Sequence, residues 1–318
     1  MGSVYVKFVD FWKSWNEEDN FIVDALRSKH DVAVLTGNGA KPDLLFYSYF
    51  GMEHLRYDCP RIYFTGENDV PDFNECDYAL SWCYLDFGGR HMRYPLFAQD
   101  TDFKKVVAGT AANPTDEEAL NRGFCSLVVS NFSAADPMRL RVIDAVGSYK
   151  PVASGGRFRN NVGGPVKDKM DFIAHYKFNI AAENSSAPGY TTEKLVEPMA
   201  AGTVPIYWGN ELVGRDFNKE AFIDIGDYHT LDDAVKAIAA LDNDPAAYLA
   251  MLRAPKRHPD QAVDWPARLA EYLCRIAENP RIHRLQCGIQ LAIASDKKAE
   301  KWLRDKTMLW KIARRMSR

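Results

Sequence analysis

KFNIAAENSSAPGYTTEKLVEPMAAGTVPIYW, Lys177 to Trp208, is the stretch that decides how this chain folds. Lys177 to Ala181 is a short apolar run bounded by polar residues, and it reads as a buried strand. A polar turn follows, broken by Pro188-Gly189. Thr191 to Ala201 reads as a helix, and Thr203 to Tyr207 as a second buried strand. Strand, helix, strand in close succession argues for a parallel sheet with helices on both faces. In open sheets of this kind ligands sit beyond the carboxyl ends of the strands, so the polar turn Glu183 to Leu195 is a candidate ligand site.

The alternation extends in both directions. Downstream lie a strand at Ala221 to Ile225 and a helix at Leu231 to Leu241. Upstream, Phe124 to Val129 reads as a strand and Pro137 to Tyr149 as a helix. The first half has strand patterns at Val4–Val9, Val32–Leu35, Leu44–Tyr47, Ile62–Phe64 and Tyr78–Leu80. Phe21, Ile22, Ala25 and Leu26 share one helical face. Periodicity is lost between Ala98 and Asn121, where TAANPTDEEAL reads as a linker or as a loop leading into a helix start. The expected organisation is therefore an α/β chain with one domain over 1–115, a second over 116–290 and a separate tail over 291–318.

Composition limits the function. A length of 318 residues accommodates two domains. A net charge of −3 and no basic stripe interleaved with aromatics in the body exclude nucleic acid as a general partner. The six cysteines form no CxxC pair and the seven histidines no HExxH, so neither points to a metal. The N-terminus lacks a signal-peptide core and no apolar run is long enough to span a bilayer, which leads to the expectation of a cytoplasmic protein with reduced thiols. After Ile293 the chain turns basic, with Trp302, Leu303, Leu309 and Trp310 interspersed. This tail (294–318) fits either peripheral contact with an anionic membrane face or a terminal helix packing its tryptophans on the body.

Two helix starts carry cations. Asp136-Pro137 reads as N-cap and first helical residue, with Arg139 in the first turn. Lys194 lies in the first turn of the helix opened by Thr191-Thr192. A cation there opposes the helix dipole, by ~0.3–1 kcal/mol. Two of them, each after a strand, point to a phosphate or diphosphate, whereas the alternative is pairing with a nearby carboxylate. Beside them Glu193 suits ribose hydroxyls or simple first-turn stabilisation, and Asn184 and Tyr190 suit phosphate or sugar. Ser154-Gly-Gly-Arg-Phe-Arg159 matches no phosphate-loop pattern and reads as a flap or a turn. In the first half, Ile62–Gly66 runs into Glu67, which places a carboxylate at the edge of the sheet as a candidate general base, with Asp69 and Asp72 as competitors. Asp100-Thr-Asp102 and Asp242-Asn-Asp244 are literal DxD matches. The second reads better as a helix end and the next N-cap.

Together these blocks resemble the α-1,3/4-fucosyltransferases that use GDP-fucose (glycosyltransferase family 10), bacterial Lewis-antigen members above all. TGEN at 65–68, PDFNECDYAL at 71–80, FGGRHMRYPLF at 87–97, FCSLVVSN at 124–131, DPMRLRVIDAVGSYKPVASGG at 136–156 and the block at 177–210 occur in the family's order. The resemblance implies a GT-B fold of two Rossmann-like domains facing a cleft, with acceptor on the first and donor on the second. It implies inverting transfer of L-fucose to O3 of N-acetylglucosamine in N-acetyllactosamine-type glycans. α-1,4 or dual linkage, transfer to core chitobiose and a non-catalytic glycan-binding role are the alternatives. The implied roles are Glu67 as base, Arg139 and Lys194 on the diphosphate, Glu193 on the ribose, and Asn184 and Tyr190 on the donor. No bound metal is implied, with Mn²⁺ or Mg²⁺ at most stimulatory. The tandem seven-residue repeats of some bacterial relatives are absent, which leaves the oligomeric state open.

Overall fold

The computed structural model describes residues 3–37, 41–130, 132 and 135–283. The basic tail lies outside them. Two parallel-stranded α/β units make up the described chain, a fold of the GT-B class. One comprises Met1–Ser81, Asp86–Met92 and the described residues from Pro266 onward, and the other Trp82–Leu85 and Arg93–Trp265. Residues 93–115 thus fall in the second unit, whereas the sequence pattern placed a boundary near 115.

In the first unit, β1 (Val4–Val9), α1 (Phe21–Arg27), β2 (Val32–Val34), β3 (Leu44–Tyr47), β4 (Arg61–Phe64), β5 (Tyr78–Ser81) and β6 (His91–Arg93) follow in sequence. They build a six-stranded sheet of order β2-β1-β3-β4-β5-β6. β3, β4 and β5 are buried at every position, which is why they read as unbroken apolar runs rather than as alternation.

The second unit opens with α2 (Thr101–Val107) and α3 (Asp116–Leu120). The first is a correction to the aperiodic reading of 98–121. Asp100 caps it by accepting from the Asp102 amide at 2.7 Å, and Phe103 alone is buried, too little apolar pattern to show in sequence. Thr115 and Glu118 close a capping box on the second. Then come β7 (Gly123–Leu127), α4 (Pro137–Tyr149), β8 (Val152–Ser154), α5 (Lys169–Ala174), β9 (Tyr176–Ala182), α6 (Glu193–Ala200), β10 (Val204–Trp208), β11 (Ile223–Asp224), α7 (Leu231–Asp242) and α8 (Pro245–Arg253). α9 (Trp265–Glu278) follows. Its Cys274 and Tyr272 pack in the first unit, the Tyr272 hydroxyl donating to the Arg90 carbonyl at 2.7 Å.

The second sheet is fully parallel, of order β11-β10-β9-β7-β8. Phe178, Ile180 and Ala182 of β9 share one core with Val142, Ile143 and Val146 of α4 and Ile238 of α7. With a side-chain period of two, the alternate positions face the side where α5 and α6 pack. From β7 the chain crosses to β8 on one side, and from β9 to β10 on the other. The carboxyl ends of β7 and β9 therefore flank the point where the strand order reverses, the place in such sheets where a crevice opens.

Candidate active site

The residues just past β9 continue its alternation. Glu183 turns toward the α6 face and Asn184 toward the α4 face. The Glu183 amide donates to the Trp208 carbonyl at 2.8 Å, and the Asn184 carbonyl accepts from the Asp136 amide at 2.7 Å, so backbone pairing fixes this corner. The Asn184 Oδ1 accepts from Arg139 Nη1 at 2.7 Å. Glu183 accepts from the Thr192 amide at 2.8 Å and from its hydroxyl at 2.7 Å, and its carboxylate lies 3.2 Å from Lys194 Nζ. Two adjacent residues thus brace the first turns of two helices on opposite faces of one sheet.

Arg139 is 3 % exposed. Among the described residues no carboxylate forms an ion pair with it, and its Nε has no hydrogen-bond partner. The guanidinium stacks over Phe132 at 5.5 Å, and burial pushes its pKa down against the pull of Glu183 and Glu193. A buried cation with an unanswered donor is costly unless an anion meets it. Lys194 is placed differently. Its Nζ reaches Thr192 Oγ1 at 3.0 Å, Glu193 Oε1 at 3.1 Å and Glu183 Oε2 at 3.2 Å. Burial alone would lower its pKa, but the two carboxylates outweigh burial and raise it. Burial raises Glu183, with Lys194 opposing. For Glu193, burial raises, and Lys194 together with Lys169 and Thr192 more than compensates, so its pKa is lowered. Tyr190 is buried against Trp82, ring centroids 5.5 Å apart.

The helix N-termini contribute less than expected. The Met138 and Arg139 amides are taken by Asp136, and the Thr192 and Lys194 amides by Glu183 and Thr192. Side-chain cations, not unsatisfied amides, carry most of the positive character. The glycine-rich loop is a packed turn: at Gly156 a Cβ would come 2.0 Å from the Val129 carbonyl oxygen, and Phe158 stacks on Phe132 at 4.1 Å. Through Phe132 it supports Arg139.

Glu67 belongs to the first unit. It sits exposed on the turn after β4, its amide donating to Thr65 Oγ1 at 3.2 Å. Tyr63 donates its hydroxyl to Asp69, and Asp72 accepts from the Asn74 amide and side chain at 2.9 and 3.0 Å, so both competitors have structural work. Behind burial, the charges of Glu67 and Asp69 are the next causes that raise the exposed Tyr49 hydroxyl's pKa, which places that phenol in their field. Asp10, past β1, accepts from the Glu53 and His54 amides at 3.0 Å and lies 2.7 Å from His54 Nδ1, pinning the loop that follows Tyr49 and Phe50.

The DxD matches are spoken for. Asp242 ends α7 and pairs with Lys150 and Lys177 at 2.5 and 3.1 Å, and Asp244 caps α8. Asp102 pairs with Lys105 at 2.7 Å. Among the described residues no cluster of His, Cys, Asp or Glu has the form of a metal site, and no helix is long and apolar enough to cross a membrane.

Residues 121–286 match glycosyltransferase family 10 (fucosyltransferase) in its C-terminal part, and residues 6–99 match the α-(1,3)-fucosyltransferase FucT N-terminal domain. The chain belongs to glycosyltransferase family 10. It is 36 % identical to the α-(1,3)-fucosyltransferase FucT of Helicobacter pylori over 243 residues, 66 % of this chain and 50 % of that protein. It is 26 % identical over 177 residues to the human 3-galactosyl-N-acetylglucosaminide 4-alpha-L-fucosyltransferase FUT3, 55 % of this chain and 48 % of that one. The chain thus spans half or less of the length of these curated relatives. Among solved structures, an α1,3-fucosyltransferase bound to GDP-fucose superposes with a TM-score of 0.75 at 28 % identity, covering 89 % of this chain and 93 % of that one. Its ligand-free form gives 0.77 at 27 % identity, with 89 and 92 % covered.

Within this family-10 chain the sequence pattern led to Arg139, Asn184, Tyr190, Glu193 and Lys194, and the fold brings all five to one corner of the second unit. It did not lead to Glu183 or Phe132. Glu183 had one signal, a carboxylate directly after an unbroken apolar strand. Phe132 had none.

Proposed function

We propose that this chain transfers L-fucose from GDP-β-L-fucose to O3 of N-acetylglucosamine in N-acetyllactosamine-type acceptors, with inversion. One observation carries the donor side. Arg139 is buried with its Nε unpartnered at the point where the strand order reverses, one residue pair away from Lys194 through Asn184 and Glu183. A diphosphate answers that arrangement. The solved structures of the similar α1,3-fucosyltransferase with GDP and with GDP-fucose support the same donor.

Glu67 accepts the proton of the acceptor hydroxyl as its oxygen bonds to the fucosyl anomeric carbon. The bond from that carbon to the diphosphate oxygen breaks through an oxocarbenium-like transition state, and GDP departs. Arg139 and Lys194 stabilise the growing charge on the leaving group, Glu193 takes the ribose hydroxyls, and Asn184 and Tyr190 hold the cations and the sugar. With the leaving group neutralised by side chains, the step does not depend on a divalent ion. The 4-alpha-L-fucosyltransferase names of the FUT3 relatives support a second reading, transfer to O4 or to both positions. Mass spectrometry of products from GDP-fucose with lacto-N-biose, N-acetyllactosamine, lactose and chitobiose, with chelator present, tests the proposal. A fucosylated N-acetyllactosamine is expected. No product on any acceptor would overturn it.

A further inference from the structure

Lys194 Nζ donates to Thr192 Oγ1 at 3.0 Å and to Glu193 Oε1 at 3.1 Å, and Glu183 Oε2 lies 3.2 Å away as an ion-pair partner, so three oxygens, two of them from carboxylates, already surround the ammonium. A diphosphate oxygen that approaches Lys194 meets both carboxylates, and its approach is favoured when one of them withdraws. Glu183 is fixed. Its carboxylate is fully buried, holds the Thr192 amide and hydroxyl, and is walled in by Gly209, where a Cβ would lie 2.5 Å from the Glu183 Cγ. Thr192 is the N-cap of α6 and is equally held. The side chain of Glu193 is 41 % exposed, and its contact with Lys194 is one an exposed rotamer can leave.

We propose that Glu193 is a removable internal anion that makes the site select nucleoside diphosphates over bare phosphates. Resting on Lys194, it competes with any incoming anion. A ligand with vicinal hydroxyls beside its diphosphate gives the displaced carboxylate a new set of donors, whereas pyrophosphate offers it none and sets a second negative charge beside it. Selectivity thus comes from what the ligand offers Glu193 after displacement, as well as from what it offers Lys194. Glu183 stays in place throughout and keeps the ammonium charged and aimed. The inference rests on the diphosphate reading of the Arg139–Lys194 corner, and it adds a role for Glu193 in the unliganded protein.

The test is calorimetric titration of GDP and of inorganic pyrophosphate, in chelator, into the wild-type chain and its Glu193→Gln and Glu193→Ala variants. Both variants should bind pyrophosphate about five-fold more tightly, the size of a partly exposed ion pair. Both should bind GDP about ten-fold more weakly, the size of lost hydrogen bonds to a charged acceptor. Pyrophosphate affinity that is unchanged or weaker in the variants, with wild-type GDP binding intact, overturns the competition and leaves the diphosphate site standing. Tighter binding of both ligands overturns the hand-over to the hydroxyls. A wild-type chain that binds neither ligand overturns the diphosphate reading itself, and this inference with it.

Discussion

At the carboxyl end of β9, Glu183 and Asn184 are locked by backbone and side-chain bonds to both faces of the sheet, and the charges they serve are largely buried. At the carboxyl end of β4, Glu67 rides on a short exposed turn held by Thr65. Both follow parallel strands in Rossmann-like sheets. The first arrangement is prebuilt apart from the Glu193 carboxylate resting on Lys194, so that most of its charge is already fixed in place. The second sets a carboxylate on an exposed turn. Under the proposed function, holding the leaving group and removing the proton fall to these two differently built sheet edges.

The comparison breaks first at Glu67. Glu67→Gln should lower turnover by about 10²–10⁴-fold while leaving GDP affinity unchanged, because a general base contributes on that scale and the base proposed here takes no part in donor binding. Initial rates with N-acetyllactosamine, read beside a GDP titration, check this. A variant that keeps most of its activity would pass the role to Asp69 or Asp72, despite their structural bonds.

The support for the Tyr49–Phe50 loop of the first unit is a smaller and purely energetic matter. Burial would raise the Asp10 carboxyl, but the His54 side chain, with the His54 and Glu53 amides, outweighs burial and lowers it below its ordinary value of 3.8. A carboxyl lowered on folding contributes stability that is fully present above the unfolded value and is lost as pH falls through the folded one. Asp10→Asn should therefore cost about 1–3 kcal/mol at neutral pH and flatten the loss below pH 3.8. Urea unfolding across that range reads both effects. Asp10 sits at φ 60°, a region asparagine also tolerates, so the substitution removes charge without adding backbone strain.

Much of this was legible in the chain itself, for reasons that differ by residue. β9 and α6 showed because a fully buried strand and a capped helix have strong local patterns, and α4 showed because Asp136-Pro137 is a helix start in any context. Arg139 and Lys194 stood out as cations placed against a helix dipole. α2 and β8 did not show, since one buried residue in α2 and three residues of edge strand leave no period to read. Glu183 was passed over because its burial is made by Thr192, Lys194 and Gly209, none of them its neighbours along the chain. The bond from Asn184 to Arg139 joins positions 45 residues apart, and only the strand order brings them together.

The central claim is that Arg139 and Lys194 together hold a diphosphate. Calorimetric affinities of GDP and GMP, in chelator, for the wild-type chain and for Arg139→Ala and Lys194→Ala test it most directly. Loss of a buried partner to an anion costs about 2–5 kcal/mol. Each variant should therefore bind GDP at least about thirty-fold more weakly, with a much smaller change for GMP. GDP affinity left intact in both variants, or GMP falling as far as GDP, would contradict it.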